Sequence, residues 1–168
     1  MKFILALVFA FSTVVSAFAL ESEKPVAKNF SLPALDGRII DLQEQRGKVV
    51  VLTFWSTSCP ICHSELPKMS RLVDKNAGRE VVFLALTMEN ESRVGAYLNR
   101  RPFKSVVIPN SLGVLMEYSS KDRNGNFNMG FPSYFVINQS GEIEMSASGR
   151  NKTGAVDAQI NQLLQARW

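Results

Sequence analysis

Short, almost uniformly apolar runs alternate with amphipathic stretches along most of the chain. Two of the apolar runs, Val49–Trp55 and Val81–Thr87, consist of β-branched, aliphatic and aromatic residues with almost no polar interruption. This composition is typical of strands that are buried on both faces of a sheet. Apolar residues also recur at helical spacing and predict three helices, over Pro60–Asn76, Asn90–Arg101 and Ser111–Tyr118.

Two hairpins are predicted from pairs of strand-like segments that are separated by turn residues. Asp36-Gly37 divides the first pair, near the N-terminus, and Gln139-Ser140-Gly141 divides the second. Short turns of this kind between apolar segments favour antiparallel pairing. The four predicted strands are Phe30–Leu35, Arg38–Leu42, Ser133–Asn138 and Glu142–Ala147.

The remaining segments complete an α/β pattern. Ser105–Ile108 is predicted as a short edge strand, Ser119–Met129 as a polar loop, and Thr153 as the cap of a C-terminal helix. Strands alternate with helices and end in an antiparallel hairpin, which predicts an α/β fold with a mixed central sheet flanked by helices. We assign residues 29–168 to this single domain and residues 20–28 to a flexible lead-in.

The first 19 residues are predicted to be a signal peptide. Fifteen of these 19 residues are apolar, Lys2 supplies a positive start, and Ala17-Phe18-Ala19 forms a small-residue cleavage site. Cleavage after Ala19 leaves 149 residues of an exported protein. The alternative is an uncleaved membrane anchor, because Phe3–Leu20 is just long enough to span a bilayer.

Composition and charge narrow the classes of protein to consider. The chain has 168 residues, a formal net charge of +4 and only two cysteines. Its length suits one domain that buries a core without disulfide staples. The positive charge is small and scattered along the sequence, so nucleic-acid binding is not predicted.

The two cysteines, Cys59 and Cys62, carry the candidate chemistry. A bridge between them closes a very short loop and restrains the unfolded chain little, so reactivity explains the pair better than stability does. Cys59 falls where a buried strand gives way to a helix, and the unpaired N–H groups of a helix start favour a thiolate. Pro60 suits the first helical turn, and Cys62 follows one turn further on. Cys59 is therefore predicted to attack a disulfide, and Cys62 to resolve the mixed disulfide.

Two neighbouring side chains allow more than one interpretation. Glu65 is either an acid/base group for the Cys62 thiol or an ordinary exposed glutamate of the helix. His63 is expected to face solvent. Since it is the only histidine and a structural zinc site needs four ligands, no metal is predicted.

Three sequence features together resemble the TlpA-type proteins of the thioredoxin superfamily. They are the Cys-Pro-Ile-Cys-x-x-Glu-Leu-Pro sequence of Cys59–Pro67, the opening Asn29–Pro33, and the segment Gly130–Phe135. The resemblance covers nearly all of residues 27–166. It implies a thioredoxin-like fold and a thiol–disulfide oxidoreductase without a bound cofactor. It also implies a periplasmic reductant of disulfide-bearing exported proteins, which a membrane electron donor reduces in turn.

The resemblance also implies roles for residues outside the cysteine pair. The peptide bond before Pro132 is expected to be cis and to pack against the cysteines. The backbone of Phe131 is expected to pair with an extended substrate segment. Trp55 and Pro60 complete the predicted substrate-binding surface. We expect the protein to be a monomer.

The sequence departs from the family pattern at three places. Ser58 stands directly before the first cysteine, where the family usually has tryptophan. Thr53 occupies the position of a buried aspartate in thioredoxin, which leaves Glu65 as the expected acid/base group. Thirteen residues separate Tyr118 from Pro132, more than is usual, and predict an extra loop beside the active site that is either disordered or in contact with a partner.

Two other functions stay open at this point. A peroxiredoxin-like peroxidase has a related fold but requires a Pro-x-x-x-Thr-x-x-Cys environment, and Leu52 and Ser56 occupy the matching positions. A copper-binding module would use Cys59, Cys62 and a distant histidine, and the chain has no histidine besides His63.

Overall fold

The computed structural model describes residues 24–166 of the chain. The predicted signal peptide over residues 1–19, its cleavage site and the first residues of the predicted lead-in lie outside this range. None of the helices within it has the length and hydrophobicity required to span a bilayer.

The predicted strands and helices of the domain are present, with ends that lie within three residues of the prediction. A short 3₁₀-helix over Gln43–Gln45 precedes the central strand. Within residues 24–166 the elements are β1 (Ser31–Pro33), β2 (Ile39–Asp41), β3 (Val49–Phe54), α1 (Pro60–Lys75), β4 (Val81–Leu86), α2 (Glu91–Leu98), β5 (Val106–Ile108), α3 (Leu112–Tyr118), β6 (Ser120–Lys121), β7 (Phe127–Asn128), β8 (Ser133–Ile137), β9 (Ile143–Ser148) and α4 (Thr153–Gln165).

A five-stranded mixed sheet forms the centre of the domain, in the strand order β5-β4-β3-β8-β9. β3, β4 and β5 are parallel, whereas β8 pairs antiparallel with β3 and β9 pairs antiparallel with β8. All residues of β3 are buried, as expected for a central strand that is covered on both faces. The predicted α/β fold with a mixed central sheet is confirmed.

Helices and the N-terminal hairpin cover the two faces of the sheet. Because side chains alternate between the faces along a strand, neighbouring residues of β3 enter different cores. Val51 packs with Met69 of α1 and Ile160 of α4. Leu52 lies in the opposite cluster, with Ile40 of β2 and residues of α3. The predicted hairpin of β1 and β2 is confirmed and belongs to this second layer.

Residues 25–27 differ from the flexible lead-in that the sequence predicts. The N–H of Ile143 donates to the carbonyl of Pro25 (2.8 Å), and the N–H of Ala27 donates to the carbonyl of Gly141 (3.0 Å). These bonds attach the segment to the outer edge of β9, and Ala27 is buried. The prediction of a flexible lead-in relied on the polarity of the segment. Polarity does not show that the edge strand β9 leaves backbone N–H and C=O groups unpaired, and these groups bind residues 25–27.

The predicted loop over Ser119–Met129 contains a two-stranded antiparallel ribbon made of β6 and β7. The carboxylate of Asp122 closes its turn by accepting hydrogen bonds from the N–H groups of Asn124 (2.8 Å) and Asn126 (2.9 Å). Gly125 has a φ of 82°, a left-handed conformation that glycine adopts without strain. The sequence did not predict the ribbon because each strand is only two residues long, too short to show an alternating pattern.

Thr153 is the first residue of α4 rather than its cap. Lys152 occupies the cap position, and no side-chain hydrogen bond closes the start of this helix. The helix is held instead by burial of Val156, Ile160 and Leu163 against the sheet.

Replacing Leu52 by alanine should lower the free energy of unfolding by about 2–5 kcal/mol, the usual cost of the cavity that a buried leucine leaves. Leu52 is completely buried in the central strand, so its neighbours collapse into the space only in part. Urea denaturation followed by circular dichroism measures the change. Ile39→Ala is the control, because Ile39 is 63% exposed. An equal loss in both variants would contradict the assignment of Leu52 to the core.

Candidate active site

Cys59 and Cys62 form a disulfide at the point where β3 leads into α1. Cys59 is the N-cap residue of α1, and Pro60 is the first residue of the helix. The N–H of Cys62 donates to Sγ of Cys59 over 3.1 Å. This N–H is one of the groups that a helix leaves without an internal partner, so in the dithiol form it stabilises negative charge on the Cys59 sulfur.

The two sulfurs differ in their access to solvent. Cys59 is partly exposed and Pro60 beside it is exposed, whereas Cys62 is completely buried. An attacking thiol must reach a sulfur of another molecule, while a resolving thiol needs to reach only its own partner in the chain. The exposure of the two residues therefore suits the predicted order, with Cys59 first and Cys62 second.

The turn before β8 faces the cysteine pair. The peptide bond between Phe131 and Pro132 is cis, and the carbonyl oxygen of Phe131 lies 3.6 Å from Sγ of Cys59. A disulfide sulfur has no proton to donate, so this is a contact between the sulfur and the carbonyl oxygen and not a hydrogen bond. Pro132 is buried, and its carbonyl accepts a hydrogen bond from the N–H of Gly149 (2.8 Å). Phe131 is half-buried, which leaves part of it accessible beside Cys59.

Trp55 lies beneath the site and not on its surface. Its side chain is completely buried, with ring centroids 5.1 Å from Tyr97 and 5.0 Å from Phe103. It follows β3 directly, and the alternation along the strand directs it between α1 and α2. A side chain without exposed area cannot contact a substrate, so the predicted binding role of Trp55 is wrong. Its role is to support the loop above it.

Glu65 is not the exposed helix glutamate that was one of the two interpretations. Its side chain is buried, Lys68 Nζ lies 2.6 Å from Oε1, and the N–H of Asn151 donates to Oε2 over 3.1 Å. Burial raises the pKa of the Tyr134 phenol above its ordinary value, and the nearby charge of Glu65 adds to this shift. Both carboxylate oxygens of Glu65 thus have partners other than Cys62, and its acid/base role stays a prediction.

His63 and Thr53 are both shielded from solvent, the first in part and the second almost completely. His63 is half-buried, and its Nε2 lies 3.0 Å from the carbonyl oxygen of Thr57. Because a carbonyl only accepts, Nε2 carries the donated proton. His63 was expected to face solvent but is only partly exposed, because its ring bonds to the loop that precedes α1. Thr53 is buried in β3.

Glu89, in the loop after β4, is a residue of the site that the sequence analysis missed. Its carboxylate accepts hydrogen bonds from the N–H of Thr57 (2.8 Å), the hydroxyl of Thr57 (2.7 Å), and the hydroxyls of Ser56 (3.1 Å) and Thr87 (3.1 Å). Arg93 Nε lies 3.4 Å away, and the Glu89 side chain is only 10% exposed. Glu89 therefore fixes the loop that leads to Cys59.

The pKa of the Glu89 carboxyl lies below its ordinary value. Burial alone would raise this pKa, but the hydrogen bonds from Thr57, Ser56 and Thr87 stabilise the charged form and outweigh the effect of burial. The parallel order of β3 and β4 could have revealed Glu89 from the sequence. The carboxyl ends of adjacent parallel strands lie at the same edge of a sheet, so a glutamate shortly after β4 falls beside the loop after β3.

A mixed sheet of this topology, with a disulfide-forming Cys-x-x-Cys pair at the start of α1 and a cis proline opposite, defines a thioredoxin-type fold with a thiol–disulfide centre. The chain matches the AhpC/TSA family over residues 24–146 and belongs to that family. The resemblance to TlpA-like proteins of the thioredoxin superfamily is confirmed.

The chain is similar to bacterial proteins named as thiol-disulfide oxidoreductases or thioredoxin-like proteins. It is 34% identical over 119 residues to the thiol-disulfide oxidoreductase ResA of Halalkalibacterium halodurans. This alignment covers 70% of this chain and 63% of the relative. It is 28% identical over 121 residues to the thioredoxin-like protein YneN of Bacillus subtilis. This alignment covers 70% of this chain and 66% of the relative. The chain thus spans less than two thirds of the length of these relatives.

A solved structure supports the assignment of the fold. The crystal structure of a thiol:disulfide interchange protein of the thioredoxin family from Chlorobium tepidum superimposes with a TM-score of 0.71 at 24% sequence identity. The match covers 86% of this chain and 99% of that chain. At this level of identity the comparison establishes the fold alone.

Glu89→Gln should lower the free energy of unfolding at pH 7 by about 1–3 kcal/mol, because the amide nitrogen faces donors that then lose their acceptor. Since the pKa of Glu89 is lowered in the folded state, its stabilisation is complete above the ordinary glutamate pKa and is lost as the pH falls. The difference between the two proteins should therefore shrink between about pH 5 and pH 3. Urea denaturation at several pH values measures it.

Glu91→Gln is the matched control for this prediction. Glu91 is exposed and accepts one hydrogen bond, from Asn110 Nδ2 (2.8 Å). Its replacement should change stability little at any pH. A Glu89→Gln protein as stable as this control at pH 7 would argue against the role of Glu89 in fixing the loop.

Proposed function

We propose that this protein is a thiol–disulfide oxidoreductase that reduces disulfides in exported partner proteins through the Cys59–Cys62 pair. The observation that carries the proposal is the arrangement of the pair. A partly exposed Cys59 sits at a helix start next to the carbonyl of Phe131, and its buried partner Cys62 is already bonded to it. The similarity to proteins named thiol-disulfide oxidoreductases supports it further.

The proposed reaction proceeds in two exchanges between sulfur atoms. The Cys59 thiolate attacks one sulfur of the substrate disulfide, a mixed disulfide forms, and the substrate bond breaks to release one thiolate, which takes up a proton. Cys62, after losing its proton, attacks Sγ of Cys59 and releases the second substrate thiol. Two electrons pass to the substrate, and the protein ends as the Cys59–Cys62 disulfide.

The N–H of Cys62 acts in both exchanges. It stabilises the Cys59 thiolate before the attack, and it lies beside the same sulfur when the mixed disulfide is broken. A second dithiol must reduce the protein again, and we assign this role to a membrane electron donor. No bound cofactor is needed, because sulfur carries both electrons.

We place this reaction in the periplasm of a bacterial cell. The basis is the predicted signal peptide, with cleavage after Ala19. An uncleaved N-terminal anchor is the alternative, and it would hold the same domain at the membrane surface. Thiol exchange suits an exported protein, since disulfides form and persist in oxidising compartments.

A peroxidase is the second candidate, because the chain belongs to the AhpC/TSA family. Leu52 is buried in the middle of β3, and the hydroxyl of Ser56 bonds to Glu89 and Ser58. Neither residue supplies the proline and threonine that a peroxiredoxin-like site requires. Consumption of hydrogen peroxide by the reduced protein would favour this alternative.

A copper-binding module has less support. Residues 24–166 contain no group of three or more histidine, cysteine, aspartate or glutamate side chains that could hold a metal ion. His63 directs Nε2 to the carbonyl of Thr57 and not to the sulfurs. Copper titration of the reduced protein, followed by absorption spectroscopy, tests this function directly.

Cys59→Ser should abolish the reduction of a chromogenic aromatic disulfide, because the variant lacks the attacking sulfur. Cys62→Ser should still attack but should stop at the mixed disulfide, which mass spectrometry detects as an adduct that dithiothreitol releases. Ser64→Ala, on the same turn of α1, is the control and should react at the wild-type rate. The proposal fails if Cys59→Ser retains full turnover.

The reduction potential of the Cys59–Cys62 couple should lie near or below the value of thioredoxin, about −270 mV, since a reductant must lie below the couples that it reduces. Equilibration with glutathione and dithiothreitol buffers, followed by thiol alkylation, measures the potential. A value near that of a strong oxidant, about −120 mV, would reverse the proposed direction of electron flow.

A further inference from the structure

The side chain of His63 links the loop before α1 to the start of that helix. The backbone N–H of His63 donates to the carbonyl of Cys59 over 3.3 Å, within the first turn of α1. Its ring reaches further back along the chain, where Nε2 donates to the carbonyl of Thr57 over 3.0 Å. One residue therefore holds two carbonyls of the short segment that ends in the attacking cysteine.

Thr57 is also held by groups that lie outside α1. Its N–H and its hydroxyl donate to the carboxylate of Glu89, over 2.8 Å and 2.7 Å, and its hydroxyl oxygen accepts from Nε of Arg93 over 3.1 Å. The carbonyl is the remaining polar group of Thr57, and His63 ties it to the helix that carries both cysteines. Loss of this bond would leave the loop attached to Glu89 and would remove a side-chain link to α1.

Packing fixes the direction of the His63 ring. Its centre lies 5.5 Å from the ring centre of Tyr97 in α2, with an angle of 37° between the two planes. His63 is half-buried, and its ring also lines a cavity of about 160 Å³ together with Pro67 and Phe103. Because contacts with a second helix already restrict the imidazole, it loses little further freedom when it donates to the carbonyl.

The bond between His63 and Thr57 matters most when the two cysteines are reduced. In the oxidised protein, the S–S bond keeps the Cys59 sulfur beside the N–H of Cys62. Reduction removes this covalent restraint, and the sulfur then stays at the helix start only if the backbone that leads to Cys59 keeps its place. The thiolate depends on that place, because the N–H groups without an internal partner lie there.

We propose that His63 is a positioning residue that holds Cys59 at the start of α1 in the dithiol form and thereby raises the reduction potential of the pair. This inference rests on the proposed function, since it concerns the dithiol that attacks the substrate. His63 acts through its N–H on the carbonyl of Thr57. An uncharged donor of similar length should therefore be able to replace it.

Four variants separate this hydrogen bond from the packing of the ring and from the stability of the fold. His63→Phe loses the donor and keeps an aromatic ring against Tyr97, and the adjacent cavity has room for the larger ring. His63→Leu also lacks a donor and has a smaller side chain. His63→Gln restores an N–H donor without an ionisable group. Leu72→Ala is the control, because it leaves a cavity beneath a later turn of the same helix.

The measured quantity is the reduction potential of the Cys59–Cys62 couple in glutathione and dithiothreitol buffers, with circular dichroism as the check on folding. His63→Phe and His63→Leu should be about tenfold harder to reduce than the wild type, a shift of about 30 mV to more negative values. The reason is that the dithiol loses a restraint that the S–S bond supplies in the oxidised form. His63→Gln should have the wild-type potential. Leu72→Ala should lower the free energy of unfolding and leave the potential unchanged.

The other outcomes each decide against one of the two ideas. A wild-type potential in His63→Phe and His63→Leu, or an equal shift in His63→Gln, would overturn the positioning role while the proposed function stands. A shift of the same size in Leu72→Ala would also overturn it, since the potential would then follow the stability of the fold. A wild type that reduces no chromogenic aromatic disulfide would instead overturn the proposed function, whatever the potentials of the variants.

Discussion

The hydrogen bond from the N–H of Cys62 to Sγ of Cys59 couples the fold of this protein to its chemistry. The bond exists only because α1 begins immediately after Cys59, where the first N–H groups of a helix have no internal acceptor. Burial on both sides determines that starting point, since β3 is fully buried before it and Leu66 and Met69 hold α1 against the sheet. A shift of the helix by one residue would carry Cys62 out of the interior and remove the bond.

The loop between β3 and α1 is held by polar contacts that converge on Thr57. Its N–H and hydroxyl donate to Glu89, its hydroxyl oxygen accepts from Arg93 Nε (3.1 Å), and its carbonyl accepts from His63. Ser58, directly before Cys59, is exposed and adds no aromatic surface to this loop. The aromatic support lies below it, in the buried Trp55. Because the pKa of Glu89 is lowered, its carboxylate keeps its charge and its four donors at neutral pH.

Local patterns predicted those parts of the structure that local physics determines. The apolar runs of β3 and β4 indicate burial on both faces of the sheet, and the spacing of the cysteines places Cys62 one helical turn after Cys59. Contacts between segments that are distant along the chain produce no local sequence pattern. Glu89 bonds to Thr57 across 32 positions, Pro25 pairs with a strand near the other end of the chain, and the direction of Trp55 depends on how α1 and α2 pack. The polarity of these segments therefore did not reveal the edge pairing of residues 25–27 or the ribbon.

The groups that surround the Cys59 sulfur come from two different parts of the chain. The thiolate at Cys59 depends on α1 and on the loop before it, whereas the surface beside it belongs to the ribbon, the cis-proline turn and the β8–β9 hairpin. The contact between the carbonyl of Phe131 and the Cys59 sulfur joins the two sets of segments at the sulfur itself. A formal charge of +4 over 168 residues is too small to steer partners over long distances, so selection must act at contact range. Under the proposed function, the choice of partner therefore depends on the surface around Cys59 and the cis-proline turn.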